Sequence, residues 1–136
     1  MSLPQTILLV EDDQDDKDFF IIALSNIGYA TLFDVASNGR EAIEKLHESA
    51  VLPGVIVMDI NMPVMNGIQC LTEMLKDPLI NKIPVLILSS DTHQRERVQQ
   101  LGVTEFIEKS SDLRKLRDQL EQALLKCACS VVGVEP

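Results

Sequence analysis

Three short runs of this chain are apolar at every position: Ile7-Leu8-Leu9-Val10, Val55-Ile56-Val57-Met58 and Val85-Leu86-Ile87-Leu88. A strand with one wet face alternates apolar and polar residues, so unbroken runs of this length fit strands buried on both faces of a parallel sheet. They belong to five apolar segments, Thr6–Val10, Ala30–Val35, Val55–Met58, Val85–Leu88 and Glu105–Ile107. Between and after these lie helix candidates near Asp15–Ile27, Gly39–Ser49, Asn66–Leu75, Thr92–Leu101 and Asp112–Cys127. In the last, Leu113, Leu116, Leu120, Ala123, Leu124 and Cys127 recur at spacings of three and four, with Ser111 or Asp112 as N-cap. Strand and helix alternating through short connections predict a doubly wound α/β domain. The expected domain covers residues 5–129, with residues 1–4 and 130–136 as flexible ends.

Composition narrows the function classes. Twelve Lys and Arg against 21 Asp and Glu leave a net charge of −9, which opposes unaided binding to nucleic acid. It suits instead a cation site or a basic protein partner. Three Cys and two His without a paired CxxC argue against a disulfide framework and a zinc site, and for a reducing, cytoplasmic setting. No apolar run approaches the length of a membrane span and no signal peptide opens the chain.

In a doubly wound sheet the ligand crevice lies beyond the carboxyl ends of the strands, so the residues that end strands carry the chemistry. Here they are Glu11-Asp12-Asp13, Asp59 followed by Ile60-Asn61-Met62-Pro63, then Ser89-Ser90-Asp91, then Glu108-Lys109. Clustered carboxylates repel unless a cation sits among them, and oxygen-only ligands suit Mg²⁺. Asp12 and Asp59 are the expected direct ligands, Glu11 the holder of a bound water, and the backbone carbonyl of Asn61 a further donor. A carboxylate beside a metal, a lysine and a hydroxyl points to phosphoryl transfer onto that carboxylate, with Asp59 as nucleophile. Lys109 and Ser89, with backbone N–H groups, would take the remaining phosphoryl oxygens.

These residues resemble those of the receiver domain of two-component response regulators, the CheY-like fold, over residues 5–127. The resemblance rests on Ile7-Leu8-Leu9-Val10-Glu11-Asp12, on Met58-Asp59-Ile60-Asn61-Met62-Pro63-Val64-Met65-Asn66-Gly67, on Pro84 through Ser90 and on Phe106-Ile107-Glu108-Lys109. It implies a flavodoxin-like five-stranded parallel sheet of order 2-1-3-4-5 with five helices. It also implies Glu11 and Asp12 as the acidic pair, Asp59 as phosphoacceptor, Lys109 as the partner lysine, and Ser89 and Phe106 as the switch pair. Phosphorylation would draw Ser89 toward the phosphate and let Phe106 turn inward. The implied donor is a histidine kinase or histidine phosphotransfer protein. The implied output is a protein target read by the face of the fourth helix, fifth strand and fifth helix. The oligomeric state stays open, a phosphorylation-dependent dimer being one option.

Two departures stand out. Ser110 follows Lys109 where the family usually has a cis proline, and a cis bond before a non-proline costs about 2.5–4 kcal/mol. Ser90 and Asp91 follow the hydroxyl where a small residue is common first; Asn61 and Asp91 occupy positions that resemble those tuning self-dephosphorylation. Plainer roles compete for several residues. Asp13 reads as an N-cap, Cys70 as core, Met58, Met62 and Met65 as packing, Cys127 and Cys129 as inert helix-end thiols. His47 and His93 read as exposed, and Arg95, Glu96 and Arg97 as a solvated helix face that coincides with the output surface.

The expected protein is therefore a phosphoacceptor switch, not an enzyme, working as a stand-alone regulator. The alternatives are a receiver cut from a longer regulator, an aspartyl-phosphate phosphatase, a phosphate-independent binding module and a flavodoxin-like cofactor carrier. The phosphatase would place its nucleophile at the end of the first strand, whereas Asp59 ends the third.

Overall fold

The computed structural model describes residues 5–131, with side chains through Ala128. In chain order the elements are β1 Gln5–Val10, α1 Gln14–Ser25, β2 Ala30–Ala36, α2 Gly39–Glu48, β3 Val55–Met58 and α3 Gly67–Leu75. There follow β4 Val85–Ser89, a 3₁₀ turn Thr92–Gln94 leading into α4 Arg95–Gln100, β5 Glu105–Glu108 and α5 Leu113–Val131. The five strands form one parallel sheet in the order β2-β1-β3-β4-β5, the topology expected. α5 continues through residues 130 and 131 of the expected flexible end 130–136, and the rest of that end, with residues 1–4, lies outside the described residues.

The unbroken apolar runs are explained by how their side chains divide. Leu8, Val10, Ile56, Met58 and Ile87 point into one core with Ala42 and Leu46 of α2, Cys70, Leu71 and Met74 of α3, and Val98 of α4. Their neighbours Ile7, Leu9, Val55, Val57, Leu86 and Leu88 point into the other, against Phe20, Ala23 and Leu24 of α1 and Leu116, Leu120, Leu124 and Cys127 of α5. Each residue of the three apolar runs thus serves one core or the other, as the period of two along a strand requires.

The edges depart from expectation for the same reason. β2 has only one strand neighbour, is exposed at Thr31 and Leu32, and carries a bulge: Ile7 pairs with Leu32 and Leu8 with Asp34, leaving Phe33 between. β2 runs one residue past its expected end, to the buried Ala36. The expected helix Thr92–Leu101 is split, because no side chain caps either the 3₁₀ turn or α4, and only Val98 of α4 is buried. Asp112 caps α5, its Oδ1 accepting from Lys115 N at 3.2 Å. Among the described residues no helix is long and apolar enough to cross a membrane.

Candidate functional site

The sheet's backbone bonds run one step past the strands and line up the residues that follow. Glu11 N donates to Ala36 O at 2.9 Å, Asp59 N to Val10 O at 3.0 Å and Lys109 N to Ser89 O at 3.0 Å. Adjacent parallel strands therefore deliver Glu11, Asp59, Ser89 and Lys109 to one edge.

The three leading acids then take different tasks. Asp13 is the N-cap of α1, its Oδ1 accepting from Asp16 N at 2.9 Å, as expected of it. Glu11 is only 2% exposed and Asp59 7%, whereas Asp12 is exposed. Each of Glu11, Asp12 and Asp59 offers a carboxylate oxygen, and these oxygens lie within 4.8 Å of one another. Hard oxygen donors at that separation fit a hard divalent ion such as Mg²⁺.

Lys109 binds this cluster from the side. Its Nζ lies 2.9 Å from Asp59 Oδ2, 3.0 Å from Glu11 Oε1 and 2.7 Å from Asp16 Oδ2. The other oxygen of Asp59, Oδ1, accepts from Ile60 N at 2.7 Å. Burial pushes the Glu11 carboxyl up to about 7, and the charge of Asp59 adds to the rise, against the hydrogen bond from Lys109 that lowers it. Burial works to lower the Lys109 ammonium, but its bonds to Asp16, Asp59 and Glu11 outweigh it and hold the group above its usual range. The lysine is charged at any physiological pH.

No cis peptide occurs among the described residues, so the Lys109–Ser110 bond is trans. Lys109 reaches Asp59 all the same. Ser89 is fully buried, and its Oγ accepts from Asp91 N at 3.1 Å, closing the turn that follows β4. Phe106 is 5% exposed and packs in the core of α2, α3 and α4. The Arg95 guanidinium covers its ring at 4.5 Å from the centroid. Phe106 is thus a buried residue of this core, with one face of its ring under Arg95. Asn61 is exposed and its Nδ2 donates to Asp91 Oδ2 at 3.4 Å, a long bond joining the loops after β3 and β4.

The loop after Asp59 shows why the motif ends in glycine. Gly67 N donates to Ile60 O at 2.7 Å, and a Cβ on Gly67 would lie 2.4 Å from Asp59 O and 2.9 Å from Ile60 Cα. Only a residue without Cβ lets α3 begin against the backbone of Asp59. Asn66 and Gln69 form a capping box at that start. To turn back, the chain makes a γ-turn in which Met65 N donates to Pro63 O at 2.7 Å, with Val64 at φ 67°.

The sequence reading missed one site residue, Asp16, and one contact, that of Arg95 with Phe106. Asp16 is the third carboxylate on Lys109, and Arg95 is the lid on Phe106. Asp16 left one trace, an acidic pair with Asp15 in the first turn of α1 beyond what capping by Asp13 requires. Of the plainer roles, Cys70 and Cys127 are buried thiols. His47 pairs with Asp77 at 2.6 Å on the surface.

A parallel 2-1-3-4-5 sheet that ends in an acidic cleft with a lysine defines a receiver-type domain. The chain matches the response regulator receiver domain family over residues 7–121, and it belongs to that family. It is similar to protein-glutamate methylesterase/protein-glutamine glutaminase of Geobacillus kaustophilus, 32% identical over 123 residues, 84% of this chain and 34% of that one. A Vibrio cholerae relative of the same name is 35% identical over 127 residues, again 84% of this chain and 32% of the relative. The response regulator domain of Thermotoga maritima CheB superposes with a TM-score of 0.78 at 25% identity, covering 98% of this chain and 99% of that one. The Mn²⁺-bound form of response regulator Rcp1 superposes with a TM-score of 0.74 at 25% identity, covering 88% and 91%.

These likenesses correct two expectations. The chain was expected not to be an enzyme, but the curated relatives it matches are named as enzymes, a methylesterase and a glutaminase. It was also expected to be a stand-alone regulator, but it spans about a third of the length of those relatives.

Proposed function

We propose that the chain accepts a phosphoryl group on Asp59 from the phosphohistidine of a histidine kinase or histidine phosphotransfer protein, in a cytoplasmic phosphorelay. The observation that carries this reading is the division of the Asp59 oxygens. Oδ2 is held by Lys109 and Oδ1 by the Ile60 N–H, beside the oxygens of Glu11 and Asp12.

In the transfer an Asp59 oxygen forms a bond to phosphorus while the phosphorus–nitrogen bond to the donor imidazole breaks, the imidazole leaving with the electron pair. Glu11, Asp12 and Asp59, with the carbonyl of Asn61, would hold Mg²⁺, which neutralises charge on the phosphoryl oxygens. The Lys109 ammonium shifts a donor from Asp59 Oδ2 to a phosphoryl oxygen, and the Ser89 hydroxyl, whose oxygen accepts the turn bond from Asp91 N, donates its proton to another. Movement of Ser89 and of the loop after β4 alters α4 and the Arg95 lid on Phe106, and so the face of α4, β5 and α5 that a protein target reads.

Incubation with Mg²⁺ and acetyl phosphate, followed by intact mass, tests the reading. One phosphoryl increment is expected, lost in Asp59→Asn and lost when EDTA replaces Mg²⁺. An increment that persists in Asp59→Asn refutes Asp59 as the acceptor.

A further inference from the structure

The shortest of the three bonds at Lys109 Nζ goes to Asp16, at 2.7 Å, yet Asp16 is not one of the three acids that face each other as a cation site. The Lys109 ammonium donates hydrogen bonds to Asp16 and Asp59 and forms an ion pair with Glu11 at 3.0 Å. Glu11 and Asp59 belong to both groups, so a divalent ion among Glu11, Asp12 and Asp59 would contend with the lysine for them. Two cations that share ligands also repel each other. Of the three acids on Lys109, Asp16 alone lies outside the candidate cation site, with one oxygen on the ammonium and the side chain partly open to solvent.

Little else holds the tip of that side chain. The backbone of Lys109 is anchored through its N–H to Ser89 O, but four rotatable bonds follow. Lys109 and Asp16 line a small cavity with Phe19, Leu88 and Leu116, so packing does not clamp the stem from that side. Asp16 itself is firmly placed. It sits in the first turn of α1, where the Asp13 side chain accepts from its backbone N–H at 2.9 Å.

We infer that Asp16 is a positioning residue for Lys109: it keeps the ammonium beside Asp59 while a divalent cation occupies the Glu11–Asp12–Asp59 site. The role rests on the reading above that a cation and a phosphoryl group come together at Asp59. When the Asp59 carboxylate becomes an acyl phosphate, Lys109 moves the donor it held on Asp59 to a phosphoryl oxygen and keeps its bond to Asp16. Without Asp16 the lysine must choose between following the cation's ligands and leaving for solvent.

The test is a double-mutant cycle of Asp16→Asn and Lys109→Met. Its readouts are Mg²⁺ affinity by calorimetry, the rate of phosphorylation by acetyl phosphate, and the NMR signal of the Lys109 ammonium in saturating Mg²⁺. With Lys109 present, Asp16→Asn is expected to weaken Mg²⁺ binding and slow phosphorylation by about tenfold, the lower end for loss of a residue supporting a metal site. The ammonium signal, sharp in the native protein, should broaden by faster exchange with water. In the Lys109→Met background the same change should shift either quantity by under about twofold, the scatter of uncoupled sites. Equal losses with and without Lys109 overturn the proposal, since Asp16 would then act as a charge alone. A native protein that binds Mg²⁺ with this coupling, yet takes up no phosphoryl group, refutes the phosphoacceptor reading and leaves the positioning role standing. Native phosphorylation without the coupling refutes the positioning role alone.

Discussion

Gly67→Ala joins the fold to the site in one perturbation. The added Cβ would lie 2.4 Å from Asp59 O and 2.9 Å from Ile60 Cα, both backbone atoms that no rotamer change can move aside. Carbon contacts relax near 3.5 Å, so the Asp59 carbonyl must retreat by about 1 Å, or α3 must lift by as much. Lifting α3 breaks the Gly67 N to Ile60 O bond, a loss of about 1 kcal/mol. Overpacking adds about 1–3 kcal/mol, and better helix propensity returns up to about 1. The net cost is about 2 kcal/mol, a fall in melting temperature of about 6–10 °C for a chain of this size. Moving Asp59 by about 1 Å relative to Lys109 should also slow phosphorylation by about a hundredfold. Thermal denaturation followed by circular dichroism reads the first effect, and acetyl phosphate with Mg²⁺ reads the second. Gly28→Ala is the control, because nothing lies within 4 Å of a Cβ there. A Gly67→Ala protein that melts within about 2 °C of the native one and phosphorylates at the native rate would refute the close-approach argument.

Three further outcomes are expected. Val64 is β-branched, 75% exposed and at φ 67°, so Val64→Gly should relieve about 1–2 kcal/mol of strain against about 0.5–1 of added chain entropy and raise the melting temperature by a few degrees; a lower value sinks the idea. Mg²⁺ at about a hundred times its dissociation constant should stabilise the fold by about 2.7 kcal/mol, and the same concentration should do far less for Asp12→Ala, both read from melting curves. Burial pushes the thiol of Cys70 up to about 12 and that of Cys127 up to about 11. Thiolate therefore appears at neither until the pH nears those values, and peptide mapping after Ellman's reagent at pH 8 should find both unmodified until denaturant is added.

Legibility from sequence followed burial. β1, β3 and β4 were readable to within a residue because each contains a run buried on both faces, in which every position is apolar. β2 and β5 are edges with polar outer residues, yet their ends too fell within one residue of expectation, at Ala36 and Glu108; what the sequence did not show is the bulge at Phe33. The cluster of Glu11, Asp12, Asp59 and Lys109 was readable because parallel strands end together, so topology alone brings strand-end residues to one edge. Asp16 was not, since its partner is 93 residues away and the pairing depends on how α1 leans over the end of β5. Arg95 over Phe106 is the same kind of case: a helix surface residue gains its role only from the rotation of α4 against the sheet.

The charges at the site explain why so many acids coexist there. Glu11, Asp12, Asp16 and Asp59 against Lys109 sum formally to −4 + 1 = −3. Burial and the neighbouring Asp59 relieve part of this by pushing Glu11 up to about 7, so near neutrality that carboxyl is in part protonated. A divalent cation would bring the sum to −1, whereas an acyl phosphate on Asp59 alone would deepen it, since a carboxylate of charge −1 becomes a group of about −2. The acidic excess thus opposes phosphorylation unless a cation arrives with the donor. Lys109 cannot take the cation's place, because one of its three donors is held outside the cluster by Asp16. On the proposed function the acids of this site would be shared between two cations: a lysine that is always present and tethered, and a divalent ion whose arrival would permit the transfer.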